Sequence, residues 1–273
     1  MLTSHTLLVP HLPTLVIDDQ RGHHAGIAGS LRDAARRLHD DAPAAIVVVS
    51  ARWATPGPFT VDSLRQHDAT LAYGGYSVGG RYRGPGAPKL AREIVTAATK
   101  AKLRAVALQR AVDTGIAVPM YFLVPARDRP VVATSVPDRP ADECRRWGAV
   151  IREVIAAHPE RIAFVVSGLL SFNMHAWDLK RDVPEAAEFD ERALEALQAG
   201  RWDGLGAGDA RALERVQPET GLRHLEVLRG FLGEDVAGRV LAYEASPGAG
   251  QALVEFPVPG GTAADTPAEE QAS

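Results

Sequence analysis

Cysteine is nearly absent. Cys144 is the single thiol among 273 residues, which excludes an internal disulfide and a zinc site built from cysteines. Long apolar runs are absent as well. No stretch approaches the roughly 20 apolar residues that a membrane helix needs. Met1 to Leu15 carries no basic segment, and Pro10, His11 and Pro13 interrupt its apolar run. Neither a membrane span nor a secretory leader is therefore expected, and the expected location is the cytoplasm. Charge of one sign is also scarce. The chain has 34 acidic and 30 basic residues, a formal net charge of -4, and no block of like charges. Phosphate binding needs a concentrated basic face, so nucleic acid and anionic membranes are not expected partners. Two catalytic signatures are missing too, a phosphate loop with Gly-Lys opening a helix and an H-E-x-x-H or H-x-x-x-H metal pattern, and the segment Ser167–His175 is not a G-x-S-x-G elbow.

What is present is apolar material for a large core, 46% of residues. At this length an α/β chain is commonly one domain. Short, continuous apolar runs predict buried strands at Thr6–Val9, Ala45–Ser50, Arg104–Leu108, Pro130–Ser135, Arg161–Ser167 and Arg239–Tyr243, because unbroken β-branched runs suit strands covered on both faces. Helical periodicity marks Gly26–His39, with Ile27, Leu31, Ala34, Ala35 and Leu38 on one stripe, and also Pro88–Ala101, Ala141–Ala157, Phe189–Ala199 and Gly221–Leu232. Pro88 suits a first helical turn and Gly200 a helix stop. The Gly-rich segments Tyr73–Pro88 and Gly204–Gly208 read as loops. The alternation predicts a single α/β domain over residues 1–257, with a largely parallel central sheet flanked by helices. The small, acidic segment 258–273 is expected to be a disordered tail.

In such sheets ligands bind beyond the carboxyl ends of the strands, so Ser50–Thr55, Val112–Ile116 and Ser167–Trp177 are the candidate site loops. Nine histidines are the most informative polar residues. His11 lies between prolines at the end of the first strand, where spacing alone suggests an exposed loop histidine. Arg52 ends the second strand and can clamp a carboxylate, or stack on Trp53 at the surface. Asp113 and Thr114 suit a helix cap. Ser171, Asn173 and His175 crowd one loop, and His175 is a candidate general base or a local hydrogen-bonder. His23, His24 and His224 lie on helical faces and read as structural.

Taken in order, these segments resemble the class III extradiol dioxygenases, the LigB-like family. The resemblance rests on Leu7-Leu8-Val9-Pro10-His11-Leu12-Pro13 for the P-H-x-P turn and Ser50-Ala51-Arg52-Trp53 for S-x-H-W. It continues in Asp113-Thr114-Gly115 for D-x-G, in Ser167-Gly168-Leu169-Leu170-Ser171-Phe172 for S-G-x-L-S-H, and in the closing segment Gly221–Phe256. It implies a LigB-like fold and a non-haem iron(II) centre held by two histidines and a glutamate, with a further histidine as acid/base. Carried over, the first ligand is His11. The second position holds Arg52 and the acid/base position holds Phe172. The glutamate position falls near Gln217–Glu219: the best register puts Gln217 there, and Glu219 or Glu214 is available. Three protein ligands are what leave iron open positions for substrate and dioxygen, so iron(II), though implied, is not expected to be held by this chain alone. The pattern is most similar to the non-catalytic α subunit of aminophenol ring-cleaving dioxygenases. That implies three readings: a non-catalytic subunit that pairs with a catalytic LigB-like chain or with itself; an active dioxygenase with an altered ligand set drawn from His11, His175, Glu219 or His5; and a binding module for a small aromatic acid, using Arg52 with Trp53, Thr114, Ser171 and Asn173.

Overall fold

The apolar runs become the centre of one eight-stranded sheet. The computed structural model describes residues 1–24, 26–73 and 76–263. Along the chain run β1 (His5–Val9), α1 (Thr14–Gln20), α2 (Gly26–Asp40), β2 (Ala45–Thr55), β3 (Phe59–Asp62), β4 (Gln66–Tyr73) and β5 (Tyr76–Pro85). Then come α3 (Pro88–Lys100), β6 (Ala105–Leu108), α4 (Thr114–Leu123), β7 (Val131–Pro137), α5 (Ala141–Ala157), β8 (Ile162–Ser167) and α6 (Met174–Asp178). The chain continues with α7 (Pro184–Gln198), α8 (Ala210–Val216), a 3-10 turn (Glu219–Leu222), α9 (Arg223–Leu232), β9 (Arg239–Ser246) and β10 (Ala249–Pro257). The sheet order is β6-β3-β7-β2-β8-β1-β10-β9, and β4-β5 form a separate hairpin. The inner strands β7, β2, β8 and β1 are parallel, while β10 and β9 close one edge antiparallel.

The two-residue period of a strand explains why unbroken apolar runs were needed. In β2, Ile46 and Val48 point into a layer with α1, α2 and α4. Val47 and Val49 point into the opposite layer with α3, α5, α7 and α9. That second layer is stapled by stacked rings, Phe59 on Trp147 and Phe164 on Phe231. The stripe read in α2 is the stripe that is buried. Pro88 opens α3, and Gly200, with φ of 65°, follows the end of α7. Among the described residues no helix is long and apolar enough to cross a membrane.

Four expectations are corrected. Most of Tyr73–Pro88 is not a loop, since β5 pairs antiparallel with β4; the glycines there masked an aromatic and β-branched alternation. The strand at 105–108 is not covered on both faces, because β6 is the sheet edge and largely exposed. Ser50–Thr55 is not a plain loop either. β2 continues to Thr55, with its register to β7 shifting between Ser50 and Ala54 so that 51–53 bulge out of the ladder. Finally, residues 258–263 are fastened to the body: Val258 is buried, and backbone bonds run from Val258 N–H to Ser4 and from Thr262 N–H to Leu2. The rest of the expected tail, 264–273, lies outside the described residues.

Candidate functional site

The carboxyl ends of β1, β2 and β8 lie side by side in register at Val9, Ser50 and Ser167. The three segments that leave these strand ends therefore converge. After β1, the Pro10-to-Pro13 turn carries His11 inward, so the expected exposed loop histidine is fully buried. Its Nε2 lies 3.0 Å from both carboxylate oxygens of Glu219. An ionised carboxylate only accepts, so Nε2 carries the proton and donates to it. Leu169 N–H donates to the same carboxylate at 2.7 Å. Burial pushes the Glu219 carboxyl up. His11, His224 and the Leu169 amide outweigh burial and hold it below the usual glutamate range.

The backbone around Glu219 explains why its place was hard to read. Thr220, Gly221 and Leu222 all have φ between 52° and 59°, a left-handed conformation that costs non-glycine residues about 1–2 kcal/mol each. This strained turn sets Glu219 under His11 and carries the chain straight into α9. Of the three candidates for the glutamate position, Glu219 is the one that meets His11. Glu214 is exposed on α8, and Gln217 gives its backbone carbonyl to Phe172 N–H.

Two glycines allow the close approach. A methyl group at Gly115 would lie 2.1 Å from Ser50 Oγ and 3.0 Å from Arg52 Cβ, so the D-x-G segment needs glycine to bring α4 against the bulge of β2. A methyl group at Gly168 would lie 2.4 Å from the His224 ring. His224 is completely buried, with Nδ1 on Thr220 Oγ1 at 3.1 Å and, among the described residues, no hydrogen-bond partner at Nε2. Burial pushes its pKa down to about 4, against the pull of Glu219.

Arg52 leans over Phe172, its Cζ 5.8 Å from the ring centroid, while His11 meets the same ring edge-on at 6.5 Å. Phe172 thus sits between the histidine and the guanidinium, in a small apolar cluster with Leu12, Leu169 and Trp177. Over the Trp53 ring lies Arg110, at 4.5 Å. Asp113 stands at the N-cap of α4, yet its side chain caps nothing there and accepts from Ser50 Oγ at 3.2 Å. Thr114 is buried beside it. Ser171 donates to Asp190 at 2.7 Å. Asn173 caps α6 through Ala176 N–H and bonds the Arg215 carbonyl. His175 is exposed on α6, so the second histidine near His11 and Glu219 is His224. The helical position of His224 made it read as structural, and no sequence motif marks Asp190 or Tyr243.

These residues supply two metal donors, His11 and Glu219, already bonded to each other. Among the described residues no group of three histidine, cysteine or carboxylate side chains is placed to hold a metal ion. Across the Phe172 ring from His11 stands Arg52, a permanent cation. A three-ligand iron centre is not matched by this donor set.

The family model described as the catalytic LigB subunit of aromatic ring-opening dioxygenase matches residues 5–254. The chain belongs to the LigB family. Dioxygenase tasH of Hapsidospora irregularis is 29% identical over 225 residues, 75% of this chain and 66% of that protein, so the match spans just under two thirds of its length. The crystal structure of the uncharacterized protein JW3007 from Escherichia coli K12 has the same fold as this LigB-family chain. It matches with a TM-score of 0.70 at 20% identity, over 92% of this chain and 99% of that one.

Proposed function

We propose that this LigB-family chain is a non-catalytic member that binds a small aromatic carboxylate at the carboxyl end of its sheet and partners a catalytic LigB-like chain. One observation carries the reading: His11 and Glu219 are closed on each other, with Phe172 and then Arg52 beside them, at the two positions where the resemblance implies histidines. A buried histidine–carboxylate pair keeps its own charges satisfied without iron. The guanidinium is then the cation that faces a ligand, and its planar fork matches a carboxylate. Phe172 supplies an apolar wall against which an aromatic ring can lie.

The test measures iron and binding on the isolated chain. After incubation with Fe(II) and desalting, iron stays far below one per chain, and neither catechol nor 2-aminophenol is turned over. Benzoate binds in calorimetry, and Arg52→Ala weakens it by roughly tenfold or more with the melting temperature nearly unchanged. Stoichiometric iron together with ring cleavage by this chain alone would overturn the proposal. Pull-down from the native host recovers a LigB-like chain with complete ligands.

A further inference from the structure

The amino end of the sheet, opposite His11 and Glu219, carries an open groove of about 1020 Å³ between α2 and α4. Its place is fixed by Pro43 and Ile46, at the start of β2, and by Arg127 to Arg129, just before β7. Its apolar lining comes from Ala35 and Leu38 of α2 and Phe122 of α4, over the fully buried Ile46 of β2. Its size falls at the upper end of small-molecule sites. The rim is rich in arginine, brought together from two segments far apart in the chain, which is why no basic run is visible in the sequence.

Most of those guanidinia are spoken for. Arg32 pairs with Asp19, Arg36 with Asp33, and Arg37 with Glu255. Arg129 lies 4.0 Å from Asp128. Arg127 differs. Its Nη1 donates to the Arg81 carbonyl at 2.8 Å, and among the described residues no carboxylate pairs with it. Its backbone is also left-handed, with φ of 54°, in the turn that closes α4 through Arg127 N–H to the Val124 carbonyl. Strained non-glycine residues of this kind concentrate at ligand clamps. Tyr121 lines the same groove and turns its hydroxyl onto Asp19, which leaves its ring to the groove.

The geometry points to a second ligand site, for a small apolar molecule bearing one carboxylate. The apolar body lies on the apolar lining and the carboxylate meets the Arg127 fork, whose remaining N–H groups form a bidentate match. One uncompensated guanidinium selects a monoanion over a polyanion such as nucleic acid. This site is independent of the Arg52 site at the other end of the sheet.

The test uses 2-naphthoate and its neutral amide, 2-naphthamide, as probes, with calorimetry on the full chain carrying Arg52→Ala. One molecule of naphthoate binds per chain, and naphthamide binds roughly tenfold more weakly or worse. Adding Arg127→Gly brings naphthoate down to the amide's level. It leaves the melting temperature equal or higher, because glycine accepts this backbone conformation without strain. Three results would overturn the site: no saturable naphthoate binding, equal affinity for acid and amide, or unchanged binding in the Arg127→Gly protein. Lost binding with a lowered melting temperature would also count against it, since a structural brace to the Arg81 carbonyl predicts that outcome.

Discussion

Asp190 is 1% exposed, yet it carries a carboxyl group into the layer between α7, β9 and the loop after β8. Ser171 Oγ donates to its Oδ2 at 2.7 Å and Tyr243 OH at 2.8 Å. Burial outweighs these bonds and pushes its pKa up to about 6. The folded protein therefore holds this proton more tightly than the unfolded chain does. The resulting stabilisation is complete below about pH 4, the ordinary aspartate value, and is lost as pH rises through about 6. Two pKa units correspond to about 3 kcal/mol. The change Asp190→Asn keeps an acceptor for one hydroxyl and puts there a side chain that never ionises. Urea unfolding of both proteins from pH 4 to pH 8 should show the stability difference moving toward the variant by about 3 kcal/mol, then levelling off above pH 7. A difference that stays constant with pH would mean that Asp190 does not titrate in this window. The same residue scale explains what the sequence hid at the site. Spacing suggested that His11 was exposed, because its burial comes from Glu219, more than two hundred positions away, on a turn of left-handed residues that no periodicity announces.

Between elements, α5 and α9 approach each other backbone to backbone. A methyl group at Gly148 would lie 1.9 Å from the Val227 carbonyl oxygen and 2.6 Å from the Phe231 nitrogen. Both are backbone atoms of a helix, so no side chain can move aside. From the other helix, Gly230 faces the Arg145 carbonyl oxygen at 1.9 Å on the same measure. Gly148→Ala must therefore separate the helices and disturb the Phe164–Phe231 stack beneath them, at a cost of roughly 1–3 kcal/mol or more. Gly57→Ala is the control, because nothing lies within 4 Å of its added methyl. Thermal melts should show a clear drop for the first and almost none for the second; equal melts would mean that the helices have room to spare. Elements that rest on burial were legible in advance. The runs of β1, β2, β7 and β8 and the stripes of α2, α3 and α5 report which side faces the core. The four-residue β3 was not legible. It joins the sheet partly through side chains, with Ser135 Oγ accepting from Thr60 N–H and Thr134 Oγ1 donating to the Thr60 carbonyl, and such cross-strand bonds leave no local pattern. The hairpin of β4 and β5 was missed for a related reason: glycine-rich strands look like loops until their partner is known.

For the molecule as a whole, the chain does not end its structural role with β10. Past Pro257, the segment 258–263 returns across the amino ends of β1 and β8. Val258 N–H bonds the Ser4 carbonyl, Thr262 N–H bonds the Leu2 carbonyl, and Val258 is 4% exposed. Arg152 donates to the Pro259 carbonyl and Arg161 to the Ala263 carbonyl; Arg161 also holds the Asp41 carbonyl at 3.1 Å. The segment thereby ties α5, the start of β1 and the loop after α2 into one body. Its composition is small and polar, which is why it resembled a disordered tail, but here backbone carbonyls and arginine donors hold it in place of apolar bulk. A protein ending at Ala263 should melt higher than one ending at Pro257. Burial of one valine is worth about 1.5 kcal/mol or more. Hydrogen bonds add about 1 kcal/mol each, with those from arginine at the upper end. The entropy lost in ordering the segment offsets about half of that sum, leaving about 2.5 kcal/mol; at about 2–4 °C per kcal/mol in a domain of this size, a gap of roughly 5–10 °C is expected. Scanning calorimetry on the two proteins reads it directly. Coincident melts would mean that the segment lies on the body without stabilising it, and that α5 and β1 need no such tie.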